Sequence, residues 1–144
     1  ILKDDVIDIY NHGKMERDFT YIDDLVKSVM LLKDVIPSEV TKKENELDSL
    51  SPVAPYRVVN IGNSRPSKLE ELIYCLEKQL GMKAQKNYVE MQKGDVISTW
   101  ASSELLNYLT GFSPNTELEE GLNSFVSWFR EYHAMLFKNH IKKL

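Results

Sequence analysis

Residues 10–24 impose the strongest local constraint on how this chain folds, because several structural signals follow one another there at short intervals. The alternating apolar side chains of residues 6–10 predict a strand that enters the segment, and Gly13 permits a sharp turn. Residues 19–22 predict a second short strand. The acidic residues 23–24 then stand where a carboxylate caps the start of a helix. A strand, a turn, a second strand and a helix are therefore expected in close succession.

One arginine, Arg17, lies between the glycine turn and the second predicted strand. Its guanidinium is a rigid fork of donors that matches the oxygen atoms of a phosphate, so it is a candidate phosphate ligand. The same pattern also fits a surface hairpin that carries a solvated arginine. The residue chemistry alone leaves both interpretations open.

Strand-like and helix-like stretches continue to alternate beyond this segment, which is typical of the α/β class. A near-continuous apolar run predicts a buried parallel strand at 56–61. Ser67 and Glu70 form a capping box at a helix start, and Gly81 stands where that helix should end. The predicted elements after residue 22 are a helix at 24–36, a strand at 56–61, a helix at 67–80, a strand at 86–91, a short helix from 102–103 to 111 and a long helix after a second capping box at 116–119.

The length and composition limit the classes of protein to which the chain can belong. With 144 residues it is predicted to be a single domain, 1–144, with a polar mobile loop at about 38–55. The net charge of −4 without a basic block argues against nucleic-acid binding, and no apolar run is long enough to span a membrane. A lone cysteine, Cys75, excludes an internal disulfide and favours a reducing, cytoplasmic compartment.

Four sequence blocks, spread over nearly the whole chain, are specific in combination. The first reads Gly-x-x-x-Arg-Asp-Phe-Thr-Tyr-Ile-Asp-Asp at 13–24, and the second reads Ala-Pro-Tyr-Arg-Val-Val-Asn-Ile-Gly-Asn at 54–63. The third combines Met-Gln-Lys-Gly-Asp-Val with Thr-Trp-Ala at 91–101, and the fourth covers 111–129. Together they resemble the extended short-chain dehydrogenase/reductase family, and within it the nucleotide-sugar epimerases of the UDP-glucuronate 4-epimerase type.

The resemblance implies an α/β fold that is the C-terminal, substrate-domain portion of this family's fold, without most of the Rossmann nucleotide-binding domain. It also implies a binding strand formed by Asp8, Ile9 and Tyr10. Backbone groups of this strand would pair with the uracil of a UDP-sugar, and the Tyr10 ring would pack on it. Arg17 matches the family arginine that binds the diphosphate.

The third block completes the implied substrate-binding set with Gln92 and Asp95. Many relatives carry a second phosphate-binding arginine at the position of Gln92, which can donate a hydrogen bond but brings no charge. The UDP-glucuronate branch often has glutamine there. Lys93 replaces a common proline and Ser102 replaces a common aspartate, so the local loop geometry is expected to differ.

The family's catalytic residues have no convincing match in this chain. Its base is a tyrosine four residues before a lysine on a helix, and only the pair Tyr74–Lys78 falls on a predicted helix, where the family has an ordinary covering helix. The six glycines lack the spacing that cradles the NAD pyrophosphate. The three histidines show no metal-ligand spacing. No catalytic, cofactor-binding or metal-binding residue is therefore predicted.

The implied function is the UDP-sugar-binding portion of an NAD-dependent epimerase. The full-length family oxidises a sugar hydroxyl with NAD and returns the hydride, whereas this portion alone is expected neither to bind NAD nor to catalyse. The alternative is a non-enzymatic binding module or truncated gene product. It would self-associate through faces that would cover the nucleotide-binding domain, such as helix 24–36.

Overall fold

The computed structural model describes residues 1–42, 44 and 48–141, with side chains as far as residue 135. The chain was predicted as a single domain, and in the structure it forms two compact units built from interleaved segments. Unit 1 contains residues 1–15, 68–97 and 117–144, and unit 2 contains residues 16–67 and 98–116. Both helices and strands are present, so the predicted α/β class is confirmed.

Unit 1 is organised around a parallel pair of strands, β1 (Ile7–Ile9) and β4 (Lys86–Tyr88). Ile7 pairs with Lys86 and Ile9 pairs with Tyr88. The chain between the two strands spans residues 10–85 and ends with helix α2 (Leu69–Leu80), since parallel strands require a long connection. The predicted strands at 6–10 and 86–91 therefore exist in shortened form.

Helix α2 packs against helix α4 (Leu118–Ile141) to form the core of unit 1. Apolar residues recur three and four apart along α2, and Ile73 and Cys75 are both buried. The helix ends at Gly81, whose positive φ of 70° suits a left-handed C-terminal residue. Both helices and this stop confirm the sequence prediction.

Unit 2 contains two packed helices, α1 (Ile22–Leu32) and α3 (Glu104–Thr110). Leu106 of α3 and Ser28 of α1 are completely buried. The Ser28 hydroxyl donates to the carbonyl of Asp24 one turn earlier, which satisfies its polar atom in the core. The short strand β2 (Glu16–Arg17) pairs with β3 (Ser67–Lys68). Ser67 is the last residue of the first segment of unit 2.

Two predicted helix caps are wrong. No side chain caps α1, which begins after Tyr21. Asp23 and Asp24 lie inside its first turn, where their negative charge interacts favourably with the positive end of the helix dipole. Helix α2 begins after Lys68, and no side chain caps it either, so Ser67 and Glu70 do not form the expected box. Ser67 is instead part of β3.

The prediction of a buried strand at 56–61 is also wrong. The segment forms no strand, and its residues alternate between exposed and half-buried. Ser49 satisfies backbone groups that a neighbouring strand would otherwise pair with. Its Oγ accepts from the Val58 N–H at 2.9 Å and donates to the Val58 carbonyl. No strand of the described residues pairs with this segment. The second strand predicted at 19–22 lies earlier, as β2.

The predicted mobile loop at 38–55 is anchored where the structure describes it. Arg57 makes a two-bond ion pair with Asp48, at 2.9 and 3.1 Å, and both side chains are only 2% exposed. Arg57 also donates to the Thr41 carbonyl at 3.2 Å. Residues 43 and 45–47 lie outside the described residues, so the predicted mobility stays a prediction.

Glu77 ties the end of α2 to the segment that leads into β4. Its buried carboxylate accepts from Lys83 Nζ at 2.8 Å, the Ala84 N–H at 3.0 Å and Lys86 Nζ at 3.1 Å. These donors, Lys83 first, lower the pKa of Glu77 from an ordinary value of 4.5 to about 2. A carboxyl whose pKa is depressed by folding stabilises the fold above its unfolded pKa and loses this contribution as pH falls through the folded value.

We predict that the chain loses stability as pH falls from about 4.5 to about 2 because Glu77 becomes protonated in that window. Glu77→Gln should be less stable than wild type at neutral pH, and its stability should fall less steeply with acid. Urea unfolding midpoints at neutral and acidic pH measure this difference. The control is Glu71→Gln, an exposed carboxylate on the same helix. Parallel pH profiles for wild type and Glu77→Gln would contradict the assignment.

Candidate functional site

The predicted binding strand, Asp8 to Tyr10, lies at the end of β1 and in the turn that follows it. Ile9 is 2% exposed and anchors the strand in the core, whereas Asp8 is exposed. Asn87 of β4 donates from Nδ2 to Asp8 Oδ1 at 2.8 Å. Tyr10 is half-buried and begins a 3₁₀ turn, Tyr10–Gly13.

The hydrogen bonds of β1 leave one edge of the strand open. The Ile7 N–H donates to Gln85 at 2.8 Å, and the Ile9 carbonyl accepts from Val89 at 3.0 Å, so both residues face β4. Adjacent residues of a strand point their backbone groups to opposite edges, so the N–H and carbonyl of Asp8 face away from β4. No strand of the described residues pairs with β1 on that edge.

The turn after β1 has a backbone that few residues can adopt. Asn11 and His12 have positive φ angles of 49° and 50°, and Gly13 follows at 77°. A Cβ on Gly13 would lie 2.5 Å from Glu70 Oε1, so this position combines a glycine-type φ with a close approach. The Asn11 Nδ2 group donates to the Lys14 carbonyl at 2.9 Å and closes the turn.

Gln92 and Asp95 lie together in a turn that follows β4 in unit 1. The Asp95 N–H donates to the Gln92 carbonyl at 3.3 Å, and Asp95 Oδ1 accepts from the Val96 N–H at 2.8 Å. The Gln92 side chain is exposed and Asp95 is half-buried. Gly94 has a φ of 87°, which a turn of this kind requires. Unit 1 thus contains five of the six predicted residues.

The sixth predicted residue, Arg17, belongs to unit 2 and lies on β2. It is half-buried, and its Nη1 donates to the Glu16 carbonyl at 2.8 Å. The strand is held by a parallel bridge between Glu16 and Ser98 and by the Thr99 N–H, which donates to the Glu16 carbonyl at 3.3 Å. Arg17 is therefore on an ordered element and not on a free hairpin tip.

Sequence reasoning missed the residue that organises the surroundings of Arg17, which is Asp18. Its Oδ2 accepts from the Ser64 N–H at 3.0 Å and the Ala101 N–H at 3.2 Å, and its Oδ1 accepts from the Arg65 N–H at 3.4 Å. The Asp18 N–H donates to Thr99 Oγ1 at 3.3 Å. One carboxylate therefore joins three separate stretches of unit 2.

Gly62 makes room for this carboxylate. A Cβ on Gly62 would lie 2.8 Å from Asp18 Oδ2 and 2.9 Å from the Cβ of Ala101. The Gly62 N–H donates to Ser103 Oγ at 3.1 Å, which holds the segment against the start of α3. Gly62 and Asp18 both occur in the recognised blocks, but no spacing rule links two residues so far apart along the chain.

Asp24, expected as a cap, has another task in unit 2. Its Oδ2 accepts from the Asn115 N–H at 3.1 Å and the Thr116 N–H at 2.9 Å. Burial alone would raise the pKa of Asp24, but the hydrogen bonds from Thr116 and Asn115 outweigh it and hold the pKa below the ordinary value. Asp24 thus fixes the segment before α4 to the start of α1.

The structure offers no support for catalytic use of Tyr74 and Lys78. Lys78 Nζ forms an ion pair with Glu119 at 2.6 Å, and this carboxylate raises the pKa of the lysine, which favours a structural role. Among the described residues, no group of three or more histidine, cysteine, aspartate or glutamate side chains could hold a metal ion. Within the same part of the chain, no helix is long and apolar enough to cross a membrane.

Known proteins similar to this chain include UDP-glucuronate 4-epimerases. No family model matches. A probable UDP-glucuronate 4-epimerase from Rhizobium meliloti (strain 1021) is 49% identical over 125 residues, which are 85% of this chain and 37% of that protein. Protein CapI from Staphylococcus aureus is 42% identical over 135 residues, which are 92% of this chain and 40% of that protein.

A solved structure shows the same fold. The UDP-glucuronic acid 4-epimerase from Bacillus cereus, in complex with UDP-glucuronic acid and NAD, matches with a TM-score of 0.71 and 26% identity. The match covers 91% of this chain and 37% of that chain. This chain therefore spans about two fifths of the length of the proteins that it matches.

We predict that Asp18→Ala destabilises the chain by about 2–4 kcal/mol, because three backbone N–H groups lose a charged acceptor at once. Urea unfolding followed by circular dichroism measures the change. Asp34→Ala is the matched control, since that carboxylate is 77% exposed and its ion-pair partner is the neighbouring, exposed Lys33. Equal unfolding midpoints for the two variants would show that the Asp18 network does not stabilise the fold.

Proposed function

We propose that the chain forms the nucleotide-sugar side of an epimerase cleft, since it belongs to the extended short-chain dehydrogenase/reductase family as a C-terminal part of the UDP-glucuronate 4-epimerase type. The observation that carries this proposal is the 49% identity to a probable UDP-glucuronate 4-epimerase over 85% of the chain. The likeness to an epimerase structure that contains UDP-glucuronic acid supports the choice of ligand.

The uracil ring would bind at the open edge of β1. The Asp8 N–H and carbonyl form a donor–acceptor pair on that edge, and uracil presents an acceptor beside a donor. Burial of Ile9 and pairing of β1 with β4 keep these groups at fixed positions before a ligand arrives. The half-buried Tyr10 would supply the aromatic surface on which the base packs.

Arg17 of unit 2 would bind a diphosphate oxygen, as the family resemblance implies. Glu16 of β2 bridges to Ser98, and Asp18 accepts from three backbone N–H groups, so the backbone of Arg17 between them has little freedom left to lose on binding. The exposed Gln92 amide can donate one hydrogen bond to a phosphate oxygen. Asp95 accepts only, so it would receive a ribose hydroxyl and not a phosphate.

The NAD chemistry belongs to the proposed activity of a whole epimerase and not to residues of this chain. NAD supplies the hydride acceptor in such an enzyme. The glycines of this chain do not fit the spacing of its pyrophosphate site, and no residue here is assigned to it. We propose that a protein that includes this chain inverts UDP-glucuronate at C4 with NAD, in the cytoplasm.

One observation favours a second candidate function, an interaction module. The face of α1 that carries Val26, Val29 and Met30 has three apolar side chains spaced three and four apart, and each is more than half exposed. A contiguous apolar face of this kind is typical of a surface that another polypeptide covers. In this candidate function the α1 face pairs with that of a second copy.

If the second candidate function is correct, the chain elutes as a dimer at high micromolar concentration and Val29→Glu shifts it to a monomer. A charge placed on a buried apolar contact costs more than the contact provides. Size-exclusion chromatography with light scattering measures the mass, and Lys33→Glu on the exposed end of α1 is the control. A monomeric wild-type chain would remove this candidate.

The first candidate function predicts that millimolar UDP raises the melting temperature by several degrees, because a ligand that binds only the folded state stabilises it. Arg17→Ala should abolish most of this rise. Arg65→Ala is a matched control with the same loss of charge at another position of unit 2. Differential scanning fluorimetry measures the shift. An equal UDP response in Arg17→Ala and wild type would refute the role of Arg17.

A further inference from the structure

We propose that an open cleft in unit 2, separate from the residues assigned to the nucleotide, binds the pyranose ring of a carbohydrate. The cleft has a volume of about 670 Å³, which is in the range of small-molecule sites. Its lining is rich in hydroxyl and amide side chains and includes two aromatic rings. The residues used in the argument are Asn63, Ser64, Trp100, Ser103, Asn107 and Tyr108.

Asn63 provides an unused acceptor. Its Nδ2 group donates to the Thr116 carbonyl at 3.2 Å, which fixes the orientation of the amide. Its Oδ1 atom is buried and, among the described residues, has no hydrogen-bond partner. A buried carbonyl oxygen without a donor is costly, so this atom would gain from a hydroxyl group that entered beside it.

Trp100 provides an aromatic surface with a fixed orientation. Its indole Nε1 donates to the Ser64 carbonyl at 3.4 Å, while the residue is 63% exposed. The ring plane is therefore held along one edge and open on a face. A pyranose ring presents a patch of C–H groups that packs on such a face, while its hydroxyls reach the polar groups around it.

The floor of the cleft is rigid. Ser64 has a positive φ of 57°, a conformation that residues other than glycine adopt only when surrounding contacts hold it. Its Oγ donates to the Ala101 carbonyl at 2.8 Å and accepts from the Ser103 N–H at 3.3 Å. The polar groups are thus positioned before binding, which reduces the entropy that a weak, neutral ligand must overcome.

The charges of the lining argue against a strongly anionic ligand. Arg65 and Glu104 both line the cleft, so the two formal charges oppose each other. Hydroxyl and amide groups dominate the rest, and each can both donate to and accept from a sugar hydroxyl. A neutral ring with neighbouring hydroxyls matches this set better than a phosphate or a nucleotide does. The inference stands on these contacts and does not rest on the proposed UDP-sugar site.

Tryptophan fluorescence tests the proposal directly, because the chain has only two tryptophans. In Trp128→Phe, Trp100 is the only one left. We expect methyl β-glucoside to change its emission in a saturable way at millimolar concentrations, and glycerol at equal concentrations to cause no saturable change. The absence of a saturable response to the glycoside in a folded Trp128→Phe protein would overturn the proposal.

Variants locate the response. Asn107→Ala removes an exposed side chain of the cleft from α3 and should raise the dissociation constant about three- to tenfold, as for the loss of one neutral hydrogen bond. Asn123→Ala, the same exposed change on α4, should leave it unchanged. Arg17→Ala should also leave it unchanged. Equal affinity in Asn107→Ala and Asn123→Ala, or loss of the response in Arg17→Ala, would overturn the assignment to this cleft.

Discussion

The acceptance of three backbone N–H groups by the Asp18 carboxylate is the interaction on which unit 2 depends. It joins the end of β2, the segment around Ser64 and the segment before α3. The absence of a Cβ on Gly62 is what allows these segments to approach so closely. A charged acceptor for several N–H groups is stronger than a neutral one, which suits a site where few other bonds are available. Arg17, one residue earlier, takes its position from this arrangement.

Unit 1 positions its own proposed binding groups in a different way, through backbone geometry. The parallel pairing of β1 with β4 occupies the groups of Ile7 and Ile9 and directs those of Asp8 to the open edge. The left-handed turn that ends at Gly13 then stops the strand abruptly. In both units the backbone that carries the proposed binding groups is thus ordered before a ligand binds. A site of this kind loses little entropy when a ligand binds.

The sequence was a good guide where the signal is local and a poor one where it is not. The apolar spacing along α2 and the left-handed Gly81 identify a helix and its end without tertiary information. The apolar run at 56–61 is typical of a buried strand, but Val58 in it is bound by the hydroxyl group of Ser49. No local sequence pattern predicts that contact. Asp24 looked like a cap because cap residues are recognised by type, whereas its actual partners lie about ninety residues later. Asp18 was overlooked for the same reason. Five of the six proposed binding residues came from family resemblance alone, whereas Arg17 was also indicated by its own chemistry, and the assignment of all six to a ligand stays a prediction.

Central to this account is the proposal that β1 and Arg17 bind the nucleotide of a UDP-sugar. Titration of the ¹⁵N-labelled chain with UDP, followed by ¹H–¹⁵N correlation NMR, tests it most directly because every backbone N–H reports separately. The account predicts saturable shifts that are largest for the amides of Asp8, Tyr10, Arg17 and the turn that holds Gln92 and Asp95. Shifts confined to other residues, or no shifts with millimolar UDP, would contradict it.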